Sequence, residues 1–144
     1  MLKLYAGILF CLALCTNCKK ESEKEPVVNV PEITEKSLTG IYKGYKFFNK
    51  SYKDSLAVTM KVDWISEGKM NIEEITPFQN IKQIELTGFD FTYDRGTGED
   101  DCGRITMTGT GNFKGASLYV IETIKCARTD RPDKFVEYKV VKTQ

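Results

Sequence analysis

The chain has no histidine among its 144 residues. That removes the commonest general base, any Ser-His or Cys-His dyad, and every imidazole metal site. Asp, Glu, Lys, Tyr and Ser remain, but they form no convergent catalytic or metal-ligating pattern. A non-enzymatic protein without a cofactor is therefore expected. Charge of one sign is lacking too: 21 Lys and Arg stand against 20 Asp and Glu. A nucleic-acid partner would call for a basic surplus, so none is expected. No apolar run approaches the roughly 20 residues of a membrane-spanning helix. No internal repeat argues for a propeller or solenoid, and no stretch carries a convincing helical period.

The longest apolar run is Leu4 to Leu14, 11 residues behind the single charge of Lys3. As a helix it would span about 16 Å at 1.5 Å per residue, about half of a ~30 Å hydrocarbon core. That length suits the hydrophobic region of a cleaved export signal. Three cysteines crowd its end. Cys11 sits inside the run as a small apolar residue, while Cys15 and Cys18 follow it.

This stretch resembles a bacterial lipoprotein signal, in which small residues precede a cysteine that becomes the acylated N-terminus. Cys18 fits best, with Thr16 and Asn17 before it and Lys19-Lys20-Glu21 after it. Where the family usually has Leu three positions upstream, this chain has Cys15, with Leu14 one step further back. An ordinary cleaved signal is the alternative. The resemblance implies lipidation of Cys18, membrane attachment through it, and an exported protein of the cell envelope. An outer-membrane lipoprotein facing the periplasm or the cell surface is expected. Residues 1–17 are then the signal, and removing Lys3 leaves 20 charges of each sign.

Residues 18–37 mix Lys, Glu, Ser and Pro with few large apolar side chains. Such composition cannot bury enough surface to offset the entropy of ordering, so an anchor and flexible tether are expected. A short edge strand at Val27-Val28-Asn29-Val30 is the competing reading.

Residues 38–144 have the size of one domain with a modest core. Leu56, Val58, Met60, Val62 and Trp64 alternate strictly with Ala57, Thr59, Lys61 and Asp63, the period of a half-buried strand. Strands are also expected at Gly40–Phe48, Met70–Thr76, Ile81–Leu86, Phe89–Tyr93, Arg104–Gly109, Ser117–Lys125 and Phe135–Val141, with a polar loop at Asp94–Asp101. Seven or eight short strands at regular spacing predict an all-β domain, an antiparallel up-and-down barrel, with a two-sheet sandwich as the alternative.

Cys18-Lys19-Lys20, the acidic tether and the opening Leu38-Thr39-Gly40-Ile41-Tyr42-Lys43-Gly44 together resemble the small lipocalin-like (calycin-type) barrel lipoproteins of Bacteroidota. Lipocalins open on Gly-x-Trp, where this chain has Gly40-Ile41-Tyr42. The resemblance implies a barrel able to hold an apolar ligand.

Cys102 and Cys126 are the only cysteines beyond Cys18. Their midpoint falls in an expected turn at Asn112–Gly115, so an ungapped hairpin would set them opposite each other, with Met107 facing Ile121. Opposed Cα atoms lie within disulfide reach, and export delivers the pair to an oxidising compartment, so a Cys102–Cys126 bond is expected.

Other groups are weaker candidates. The carboxylates of Asp94–Asp101 could ligate calcium, though the spacing misses the EF-hand pattern and a solvated loop is expected. Glu73 and Glu74 are adjacent on a strand and so point to opposite faces. Glu122 either faces solvent, the expected disposition, or lies in the interior and needs a partner such as Arg104 or a tyrosine. Tyr42, Val58, Met60, Trp64, Phe89, Phe91 and Tyr119 are candidates to line a ligand cavity. Tyr45, Phe47, Tyr93 and Tyr138 extend that aromatic set, and a filled core is the competing expectation.

The function expected from this reading is a membrane-anchored binding module for a small apolar ligand or an envelope protein. The alternative is an envelope interaction or inhibitor protein working through its outer surface. Small barrel lipoproteins that block lysozymes share the general build, but their Ser-Gly-x-x-Tyr type of motif is not found here.

Overall fold

The computed structural model describes residues 33–143. The signal, Cys18, the residues 19–32 of the tether and the alternative strand at Val27–Val30 lie outside the described residues.

A short 3-10 turn, Glu35–Leu38, leads into eight strands. These are β1 Gly40–Phe48, β2 Ser51–Ser66, β3 Lys69–Thr76, β4 Asn80–Thr87, β5 Asp90–Asp100, β6 Gly103–Lys114, β7 Ser117–Cys126 and β8 Lys134–Lys142. Each strand pairs antiparallel with its neighbour in sequence, and β8 returns to β1 through partners such as Gly44 and Val140. The result is a closed eight-stranded up-and-down barrel, not a sandwich. Closure removes the unpaired edges that a sheet of this size would otherwise expose.

The alternation of β2 holds where the wall is double-sided. Val58, Met60 and Val62 are buried inside, while Leu56 and Trp64 sit at the two ends, partly exposed. Residues Asp94–Asp101 are not a loop. β5 runs on to Asp100, paired with β6 as far as Asp100 and Gly103. Both faces of that extension are mostly solvent-exposed, so its sequence carries no apolar alternation to betray a strand.

One end of the barrel is sealed. Leu38 plugs it, and the Tyr42 hydroxyl donates to the Leu38 carbonyl at 2.7 Å. Glu35 accepts the Gly68 N–H at 2.8 Å, and Lys142 Nζ donates to the Ser37 carbonyl at 2.7 Å. Lys36 stacks over the Trp64 ring at 4.7 Å. Residues 35–37, expected in the tether from their polarity, therefore form part of this cap because their contacts are made by long polar side chains and backbone. Above the cap, Tyr42, Met60, Val62, Met70, Ile72, Ile84, Leu118 and Val140 fill the interior, none more than 2% exposed.

Two aromatic rings in that interior lie across glycines. Phe91 and Tyr93 on β5 face their register partners Gly111 and Gly109 on β6. A Cβ at Gly109 would meet the Tyr93 ring at 2.1 Å, and one at Gly111 the Phe91 ring at 2.3 Å. The glycines make room for rings that a side chain would push out of the core.

The disulfide forms as expected between Cys102 and Cys126, with Cα atoms 5.9 Å apart. The geometry behind it is different. Phe113 pairs with Leu118, so the hairpin turns at Gly115-Ala116, and Met107 faces Ile124 rather than Ile121. Cys126 is opposite Ile105, and Cys102 lies in the β5–β6 turn, which brings it to the end of β7. Alternating threonines and glycines in β6 gave no apolar register from which to place that turn.

Candidate functional site

The half of the barrel away from the cap carries charge on its inside. Four strands each place one ion in phase with their apolar residues. On β1 Lys46 follows Tyr42, and on β3 Glu74 follows Met70 and Ile72. On β4 Lys82 precedes Ile84 and Leu86, and on β7 Glu122 follows Leu118 and Val120. All four ions are buried. The period of two dictates this placement, because residues at even spacing share a face.

These ions meet in two groups. Lys46 Nζ lies 2.5 Å from Glu74 Oε1, and the Tyr138 hydroxyl donates to Glu74 Oε2 at 3.1 Å. The Phe78 ring covers Lys46 at 4.4 Å. Glu122 accepts the Tyr93 hydroxyl at 2.7 Å on Oε1 and Arg95 Nη1 at 3.2 Å on Oε2. Arg95 is the extra residue of a β-bulge, since Asp94 pairs with Thr108 and Gly96 with Met107. A bulge bends the strand locally and re-aims its side chain. Asp94 holds it by accepting the Gly96 N–H at 2.6 Å.

Lys82 Nζ is the exception. It stands 3.3 Å from Glu122 Oε1, but the approach misses hydrogen-bond geometry, and the ammonium has no hydrogen-bond partner among the described residues. Burial pushes the Lys82 pKa down, against the opposing pull of Glu122. Burial also pushes the Tyr93 and Tyr138 phenols well up, with Glu122 adding to both. Chemically the layer concentrates charge and hydrogen bonds in a low-dielectric interior, where each paired interaction is stronger than in water and each unpaired group costlier.

No family model, curated protein or solved structure matches this chain.

The candidates named from sequence distribute unevenly. Tyr42, Val58, Met60 and Phe91 are inside the barrel, packed in its core. Trp64 has the inward phase but sits at the capped end under Lys36, partly exposed. Phe89 lies in the β4–β5 turn. Tyr119 has the outward phase and lines an outer groove of about 340 Å³ with Thr110 and Asn112. These three departures share a cause: period and aromaticity do not say where a strand leaves the barrel or which face is inner. Tyr93 and Tyr138 join the charged layer, whereas Tyr45 and Phe47 have the outward phase.

Glu122 takes the interior disposition, not the solvent-facing one; its partner is a tyrosine, Tyr93, and its cations are Arg95 and Lys82 rather than Arg104. Glu73 and Glu74 do diverge: Glu74 is inside, and Glu73 accepts from Gln79 at 3.3 Å outside. In the Asp94–Asp101 stretch Asp100 and Asp101 both engage Lys134, and Asp100 is 2.8 Å from it. No set of three His, Cys, Asp or Glu side chains converges on a metal position among the described residues. Lys46, Lys82 and Arg95 were not singled out from sequence. The available signal was a charge in phase with apolar neighbours on the same strand.

Proposed function

We propose that the protein is a lipid-anchored, lipocalin-like lipoprotein of the cell envelope whose barrel is a non-enzymatic binding module. Its address rests on the apolar run, Cys18 and the charged segment that follows. With a diacylglycerol and an amide-linked acyl chain on Cys18, anchoring is stable, since two chains hold where one binds marginally.

The binding reading is carried by one observation, the buried layer of Lys46, Glu74, Lys82 and Glu122. Replacing buried ion pairs with apolar side chains of similar volume is often neutral or stabilising, so stability alone gives no reason for the layer. Interior charge supplies orientation and selectivity for a small molecule.

A second reading has its own observation. Tyr45 and Tyr52 are 55% and 66% exposed on the outer wall, grouped with Phe47 around Lys139. A rigid aromatic group with a cation is the make-up of a protein-binding hot spot, which suits an envelope interaction or inhibitor role.

Native mass spectrometry of the mature protein extracted from its own cells separates the two. A retained small-molecule mass supports the barrel reading. A bare chain co-purifying with another polypeptide moves the role to the outer face. For the address, Cys18→Ser should shift the protein out of the membrane fraction, and unchanged fractionation would overturn the lipoprotein reading.

A further inference from the structure

We propose that the outer wall carries a binding site for a neutral saccharide, the groove over β4 to β7 with Tyr119 as its aromatic platform. This site lies outside the barrel, so it goes beyond the interior binding module and does not depend on the buried layer.

The strand register builds the groove. Thr87, Asp90, Asn112 and Tyr119 are successive cross-strand partners from β4 to β7, and Glu85, Thr92 and Thr110 form the adjacent row. Partners directly opposite each other share a face, and here it is the outer one. Short Thr, Asp and Asn side chains in the middle of both rows leave a hollow between the longer Tyr119 and Glu85. Its volume is about 340 Å³, at the lower end of the range of about 300–1,000 Å³ for small-molecule sites. The floor is fixed from inside the barrel, because the Phe91 ring lies where a Cβ at Gly111 would meet it at 2.3 Å. A site on paired strands with a packed floor is pre-organised.

The lining selects the occupant by its hydrogen-bonding pattern. Three threonine hydroxyls, the Asn112 amide and the Asp90 carboxylate are exposed within one hollow. Together they donate and accept, which matches a ligand whose hydroxyls do both. An apolar ligand would strip these groups of water and return no hydrogen bonds. Beside them the half-buried Tyr119 ring gives a flat apolar face, on which the C–H face of a pyranose ring can lie. Lys139, the register partner of Tyr119 on β8, stands on its other side with Nζ 6.0 Å from the ring. The Lys139 ammonium in turn donates to the Tyr52 hydroxyl at 2.9 Å, which holds it there.

Charge narrows the class. Lys69 answers Glu85 at 3.2 Å, while no salt bridge among the described residues engages Asp90. Asp90 therefore repels a phosphate or carboxylate in the hollow, and Lys139 repels a cation set against Tyr119. An uncharged polyhydroxy ligand meets neither penalty.

The test uses the mature chain from residue 18, carrying Cys18→Ser so that it stays in solution without an acyl anchor. Maltotriose and tri-N-acetylchitotriose are the neutral probes and trigalacturonate the anionic one, each titrated at pH 7 and followed by amide NMR shifts. At least one neutral probe should give saturable shifts centred on Thr92, Thr110, Asn112 and Tyr119. Trigalacturonate should bind about fivefold or more weaker, the scale of one like-charge contact in water. Asp90→Ala should weaken the neutral probe about tenfold or more, the scale of hydrogen bonds to a charged acceptor. Tyr119→Ala should weaken it by a similar factor, while Tyr119→Phe, which keeps the ring, should stay within about twofold. Lys82→Met, inside the barrel, should leave this affinity unchanged. Absence of saturable shifts with both neutral probes would overturn the site, as would binding that survives both Asp90→Ala and Tyr119→Ala. Equal or tighter binding of trigalacturonate would overturn the neutral class. Affinity lost with Lys82→Met would move the ligand to the interior and overturn the outer site while leaving the binding module standing. If Tyr119→Ala does not fold, Asp90→Ala at an exposed position decides alone.

Discussion

The Tyr93 ring lies across the backbone of its register partner Gly109, so closely that a Cβ there would sit 2.1 Å from Tyr93 Cζ. That contact places the phenol where it donates to Glu122 at 2.7 Å. Core geometry and the charged layer are thus joined through a single glycine.

Gly109→Ala should displace the ring and break its bond to Glu122. Overpacking of this kind costs about 1–3 kcal/mol. A urea melt followed by tyrosine fluorescence checks it. The comparison is Gly88→Ala, where nothing lies within 4 Å and only the positive φ of 66° is strained. Equal losses at the two sites would refute the packing account.

Glu122→Gln removes the counter-ion of Lys82 and Arg95. Breaking a buried pair on one side costs about 3–5 kcal/mol, because a charge is left uncompensated. Adding Lys82→Met should recover much of that loss, since Arg95 is partly exposed and can turn to water. A double-mutant cycle measures the coupling, expected in the range of about 0.5–3 kcal/mol. Strict additivity would mean that Lys82 and Glu122 do not interact.

Reducing Cys102–Cys126 opens a loop with a sequence separation of 24. The loss should be about 3 kcal/mol by loop-closure entropy. Urea midpoints with and without reductant give the value, and intact mass after alkylation shows whether the thiols were paired. Two free thiols in protein taken from the envelope would contradict the bond.

The β1–β2 turn holds Asn49 and Lys50 at φ of 50° and 62°. Both central residues of such a hairpin turn need positive φ, which Asn accepts and glycine favours. Lys50→Gly should therefore stabilise by about 0.5–1 kcal/mol, net of the lost Lys50 contact with Phe135. Asn49→Ala should destabilise, because Asn49 Oδ1 also accepts the Phe135 N–H at 3.1 Å. Thermal melts of both variants test the pair of opposite signs.

Stability should have two alkaline regimes. Lys82 has a lowered pKa in the fold, so between that value and the ordinary lysine value near 10.4 the unfolded chain binds the extra proton. Stability relative to Lys82→Met then rises with pH across that window. Above pH 10 the sign reverses. Burial pushes Tyr42 up to about 12, and Tyr93 and Tyr138 further, so the unfolded phenols release protons first. Stability should fall from about pH 10 upward, in step with a delayed phenolate absorbance. A flat profile would refute both assignments.

The strands were legible because side chains on a pleated strand alternate with period two, and a half-buried wall writes that period into the residues. Val58, Met60 and Val62 show it cleanly. It faded wherever both faces meet water, which is why Asp94–Asp101 read as a loop. It also failed to locate the Gly115-Ala116 turn, since Thr and Gly on β6 carry little apolar contrast. The cysteine pair was found for a partly wrong reason: the partners are right, but a turn and a strand end bring them together rather than facing positions.

The charged layer was half-visible. Lys46, Glu74, Lys82 and Glu122 each stand in phase with apolar neighbours on their own strand, and that much is local. Which strands bring them together is not local. The chain's alternation, turns and composition were enough to specify an all-β barrel, because they depend on a few neighbouring residues. Tertiary structure alone decided that Glu74 takes Lys46, that a bulge turns Arg95 onto Glu122, and that Lys82 is left without a hydrogen bond. Barrel closure sets those distances between strands far apart in sequence, and no local pattern encodes them.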